Sequence, residues 1–314
     1  MISLRQHAIS IAAIFLALAI GIVLGSQTIA SDLLSGLRDD KSDLQSQVDT
    51  LGTENQQLRN QVDAGEAFAA ANAGRILAST LADRTVVVVT TPDADPGDLD
   101  GVARMVEAAG GTVTGKIALT ESFLDTTSAD RLRTTVTNVV PAGVQLRTGS
   151  VDQGSLAGDL LGSVLLLDAQ STQPQSSPQE AALALDALRS GGFVTYDDNA
   201  VAPGQLAVVL TGGEAGADGG NRGSVIARFA AALDGRGAGA VLAGRPDSAL
   251  GSGPIAVTRA DAALASAAST VDNVKMQTGR ITVPLALAEQ LNGIAGRYGT
   301  GPNATAPTVG AVPS

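Results

Sequence analysis

The sequence predicts an α/β fold on an N-terminal transmembrane helix and a parallel coiled coil, with a mostly parallel sheet flanked by helices as the body. Three observations predict it: an apolar run directly behind the N-terminus, a leucine heptad after that run, and β-branched strands alternating with helical stretches.

The apolar run comes first. From Ala8 to Leu24 it is broken only by Ser10, and a helix that crosses a bilayer needs roughly 17–25 such residues, more than the 7–15 of a secretory core. A retained anchor is therefore expected over residues 1–30, with cleavage near Thr28-Ile29-Ala30 as the alternative. Ala13, Ala17, Gly21 and Gly25 recur every fourth residue. Such small residues let two membrane helices approach closely, although Ala and Gly are common throughout this chain. Arg5 precedes the run, and Asp32, Asp39 and Asp40 follow it. The positive-inside rule then keeps the N-terminus cytoplasmic and exports everything after residue 30.

The heptad follows at once. Leu37, Leu44, Leu51 and Leu58 are spaced by seven and fill the d positions, while Leu34, Lys41, Val48, Asn55 and Val62 fill the a positions. Leucine at d with β-branched and occasional polar residues at a favours two parallel strands, and a buried Asn fixes register. Glu54 at g and Arg59 at the next e complete an ion pair only across a parallel, in-register partner. A parallel homodimer is expected, its rod about 50 Å long at roughly 1.5 Å per residue. An amphipathic helix folded back on its own body is the alternative. A stalk over 31–82 follows from this reading.

The body is expected over 83–301, in two related halves, 83–168 and 179–301. "RTVVVVTT" reads as a buried parallel strand, "LDGVARMVEAAGG" as a helix and "TVTGKIAL" as a second strand. The order repeats in "QLAVVLTGG", "NRGSVIARFAAALDGRG" and "AGAVLAG", with "SPQEAALALDALRSGGFVTY" as a further helix and strand between them. Such alternation argues right-handed crossovers on both faces of a sheet. The last stretch, 302–314, carries repeated prolines and little apolar bulk, and is expected to be disordered.

Chemistry is sparse. A net charge of −11 argues against nucleic acid and against anionic lipid surfaces. Cysteine is absent, and the only histidine, His7, lies at the cytoplasmic edge of the span. No exported Ser-His-Asp, Cys-His or His-metal arrangement can be built, so no enzyme is expected and neither a catalytic residue nor a metal ligand is assigned. The Gly-rich loop Thr211 to Ser224 leads into a helix but fits no phosphate-loop pattern, and a plain flexible loop is the better reading. Tyr196 to Asn199, "YDDN", reads as ordinary turn residues rather than a cation site.

The opening "MISLRQHAISIAAIFLALAIGIVLGS", the zipper, "TVVVVTTPDA", "GDLLGSVLLL", "STVDN", "LALAEQLNG" and "GRYGTG" resemble the mycobacterial copper transport protein B family of actinobacteria, from Met1 to about Gly301. The resemblance implies an envelope protein of copper efflux and resistance, forming a pore in the outer membrane, with copper ion as transported substrate and no identifiable cofactor. A membrane-anchored dimeric scaffold, presenting a non-catalytic body to an envelope protein partner, is the alternative.

Overall fold

Valine-rich stretches flanked by polar turns give the sheet its middle. In the computed structural model, which describes residues 4–147, 152–198, 200–213 and 220–311 and the side chains of these outside 26–39, Thr85–Thr90 forms β1 and Leu206–Thr211 forms β4. They pair in parallel, Val86 opposite Leu206, at the centre of the sheet. Valines 86–89 are all buried, as a strand covered on both faces requires.

The elements follow in chain order. Helix α1 runs Leu4–Leu77, and after β1 come α2 (Pro96–Ala108) and β2 (Thr112–Leu119). Next are α3 (Glu121–Leu124), α4 (Ala129–Asn138), α5 (Gln153–Leu165), α6 (Pro178–Ser190) and β3 (Val194–Tyr196). After β4 come α7 (Arg222–Asp234), β5 (Ala240–Gly244), α8 (Pro254–Ala260), α9 (Ala262–Ala267), β6 (Ser269–Val271), α10 (Gln277–Gln290) and β7 (Arg297–Tyr298). Local chemistry starts several helices: Asp95 caps α2 by accepting the Gly97 amide, and Ser177 and Glu180 form a reciprocal capping box on α6.

The strand order is β3-β2-β1-β4-β5-β6-β7 among the described residues, parallel throughout except for β3, which pairs antiparallel with β2. The two strand-helix-strand units, β1-α2-β2 and β4-α7-β5, are as the sequence reads. They are not separate halves, because β1 and β4 join them into one sheet. On one face Val87, Val89, Ala207 and Val209 pack with Leu160 and Leu161 of α5, Leu188 of α6 and Phe229 of α7. On the other, Val86, Val88, Leu206 and Val208 pack with Val106 of α2, Ile281 and Leu287 of α10, and Ala69, Ala73 and Leu77.

The chain divides into two compact units, Met1–Gly65 and Glu66–Ser314. The expected stalk over 31–82 is therefore too long: apolar residues from Ala69 onward cover the sheet of their own body, as an amphipathic helix does in a globular core.

The disordered tail is also corrected. Ala306 is buried and bridges to Tyr298, Val309 and Ala311 pack on the core, and the Thr308 hydroxyl bonds Thr282 at 2.8 Å. Small apolar residues between the prolines suffice to dock this segment, so composition misleads here; residues 312–314 lie outside the described residues.

Two internal arrangements hold the body. Gly154, Gly158 and Gly162 line one edge of α5, so that α7 approaches almost backbone to backbone. A Cβ at Gly158 would stand 2.7 Å from the Phe229 carbonyl oxygen, and one at Gly154 would overlap that of Val225. Beside them Phe123 meets Phe229 edge to face, centroids 5.5 Å apart. The second arrangement is an ion pair, Arg259 Nη1 to Asp272 Oδ2 at 2.6 Å, with both side chains fully buried. Arg259 also donates to Thr270 Oγ1 and to the Tyr298 and Pro302 carbonyls, while Asp272 accepts from the Thr300 and Gly301 amides.

Asp234, at the end of α7, accepts the Ala240 amide at 2.9 Å. Burial pushes its carboxyl up to about 6, against the Ala240 hydrogen bond and the Arg147 charge, which pull it down. The folded state thus holds the proton more tightly than the unfolded state. Its stabilising share is full below about pH 4 and is lost as pH rises through 6. Asp234→Asn is expected to gain about 1–2 kcal/mol at pH 7.5 and to converge with the parent near pH 4. Denaturant titrations at both pH values check this, and an equal difference at both would reject it.

Candidate membrane and self-association surface

The apolar window and the leucine heptad both lie on α1. The window Leu4–Gly25 has a mean hydropathy of 2.7 and none of it is buried. Its 22 residues are long enough to cross a membrane. Ile14, Phe15, Ile20 and Ile22 all stand exposed. Ala13, Ala17 and Gly21 share a helix face at four-residue spacing with Gly25, and a Cβ built at Gly21 would meet nothing within 4 Å.

Further along, Leu44, Val48, Leu51, Leu58 and Val62 are 49–63% exposed, and Lys41 and Asn55 are exposed among them. Beside and behind this stripe, Gln45 donates to Asp49 at 3.1 Å, and Gln56 to Asn60 at 3.0 Å. Leu34 and Leu37 fall on α1, but their side chains lie outside the described residues.

In the body, ligand sites of such sheets lie where the strand order reverses, beyond the carboxyl ends of β1 and β4. Here that crevice is filled from within. Burial raises the Asp93 carboxyl, but bonds from the Thr91 hydroxyl and the Gly213 and Gly212 amides outweigh it and hold the group below its usual range. A Cβ at Gly212 would collide with the Asp93 carbonyl, so glycine is needed for the two loops to touch. Asp98, buried on α2, binds Arg245 at 2.7 Å and Arg280 at 2.9 Å, and Asp95 binds Arg245 at 2.7 Å. This network was not legible in the sequence, since its members lie more than a hundred residues apart. Of the Gly-rich loop, residues 214–219 lie outside the described residues.

A cleft of about 630 Å³ opens beside α6 and β3, lined by Val164, Leu185, Val201 and three prolines. The "YDDN" turn forms its polar rim, Asn199 excepted as outside the described residues. Tyr196 donates to Asp186 at 2.8 Å, and Arg189 bridges Asp186 and Asp198 at 2.8 and 2.5 Å. Tyr196, Asp186, Arg189 and Asp198 thus satisfy one another. No group of three or more His, Cys, Asp or Glu side chains is arranged to hold a metal ion among the described residues.

An α/β body borne on a helix whose opening turns can cross a membrane is the class that fold and surface define. Within that class, the chain belongs to the family described as copper transport outer membrane protein, MctB, whose profile matches residues 1–309. It is 46% identical over 312 residues to proteins named copper transporter MctB from Mycobacterium tuberculosis and Mycobacterium bovis, covering 98% of this chain and 99% of each relative. To the Mycobacterium leprae protein of the same name it is 47% identical over 315 residues, with the same coverage.

Proposed function

We propose that this chain is a cell-envelope component of copper transport, held in a membrane by Leu4–Gly25 with its α/β body on the exported side. The observation that carries the reading is family membership along nearly the whole chain, with relatives named copper transporters at 46–47% identity. The exposed apolar window supports the anchor, and the basic start followed by acidic residues supports the orientation.

A second reading, an anchored scaffold that hands copper transport to an envelope partner, is favoured by the body itself. Its sheet is covered by helices on both faces. With no cysteine, and with His7 inside the apolar window, the body offers Met105 and Met276 as its soft donors. In this reading the path for copper is built by the anchored assembly or a partner, and outer-membrane placement follows the family description.

Cells lacking the chain are expected to hold several-fold more copper under copper load. The full chain should restore the parental level, and a chain without residues 4–25 should not. Elemental analysis of washed cells reads the result. Unchanged copper in the deleted cells would overturn the transport role, whereas rescue by the anchorless chain would overturn the anchor alone.

A further inference from the structure

We infer that the exposed seam of α1 pairs with a second copy of this chain as a parallel, in-register two-stranded coiled coil over residues 40–62. The pairing holds whether or not the chain carries copper, and it names a partner surface that the transport role does not specify.

The case begins with burial. Leu44, Val48, Leu51, Leu58 and Val62 lie at a and d on a helix without a break, and each is about half or more exposed. Covering apolar side chains is favourable in proportion to the area removed from water, and five on each of two copies offset the entropy of association. The stripe is two positions in seven, narrower than a helix buries against a globular core and matched to one partner helix.

Orientation follows from the polar residues. In an antiparallel pair each a residue faces a d residue of the partner, and the d positions 44, 51 and 58 are all leucine. Lys41 and Asn55 would then each sit against leucine with no polar partner. In a parallel pair Asn55 faces the second Asn55, and the two amides bond each other. Lys41 packs beside Asp40 of the second copy, which occupies the preceding g position, and Glu54 at g reaches Arg59 at e. Register is fixed by the same residues, because a slip of one heptad moves Asn55 opposite Val48 or Val62.

The chain has no cysteine, so a single introduced thiol reports its own surroundings. Leu44→Cys, Leu51→Cys and Leu58→Cys, each in the full chain in native membranes, should all form a disulfide-linked species of twice the chain mass on mild oxidation. Thr53→Cys, on the outward f position, should not. Linkage at Leu51 alone would mean that the two helices cross near residue 51 and do not run side by side in register, and would overturn the parallel coiled coil. Absence of linkage at all three d positions in folded, membrane-held chains would overturn the pairing. Equal linkage at Thr53 would reduce it to random collision.

Discussion

Asp272→Ala is expected to cost the body about 3–5 kcal/mol of stability, the range for removing one partner of a buried ion pair. The carboxylate is wholly buried, so its loss leaves the Arg259 charge in the interior without its counter-ion. The Thr300 and Gly301 amides lose their acceptor at the same stroke. Gly299 belongs to the same arrangement: it has a φ of +129°, and a Cβ there would strike the Asp272 carboxylate. Replacing both charged residues, Arg259→Met with Asp272→Leu, should recover part of the loss, since no isolated charge remains. Denaturant unfolding of the full chain in detergent, followed by circular dichroism, separates the cases. A loss below about 1 kcal/mol for Asp272→Ala would mean that the pair is solvated, in the range of surface ion pairs.

The second large effect is expected on α5. Gly154→Ala should destabilise by about 3 kcal/mol, the upper part of the range for overpacking, because the new methyl meets the Val225 carbonyl and two helix backbones must part. Gly158→Ala should be comparable. Gly162→Ala should cost less, about 1–2 kcal/mol, because its methyl meets the Cβ and Cγ of Arg236 and not a backbone carbonyl, although Asp159 and the Gln145 carbonyl hold that side chain in place. Gly52→Ala, where a Cβ meets nothing within 4 Å, should gain up to about 1 kcal/mol from helix propensity. The ranking is the test: equal losses at Gly154 and Gly162 would show that close approach of α7 is not the cause.

What the sequence discloses tracks how local the governing physics is. The runs at Val86–Val89 and Leu206–Leu210 name central strands by themselves, because burial on both faces demands continuous apolar residues. Helices α2, α5 and α6 between them carry their own caps, Asp95, Asp152 and Ser177. Strands β6 and β7, three and two residues long, exist through pairing alone and leave no local sign. Arg259 and Asp272 look like two surface charges until the fold closes over them. The glycine spacing 154, 158, 162 was open to reading, being the same i, i+4 pattern that marks the membrane span, but it went unread inside a soluble helix. The candidate surface was legible because heptads are periodic. The partner proposed for it is a second copy, which no arrangement within one chain displays.

The last parallel strand also sets a clock on biogenesis. Residues 297–302 supply the edge strand, the amides that hold Asp272 and a carbonyl for Arg259, so the sheet is incomplete until these residues are in place. On the proposed reading, in which the body is exported behind an N-terminal anchor, the sheet edge stays open until residues 297–302 have crossed the membrane.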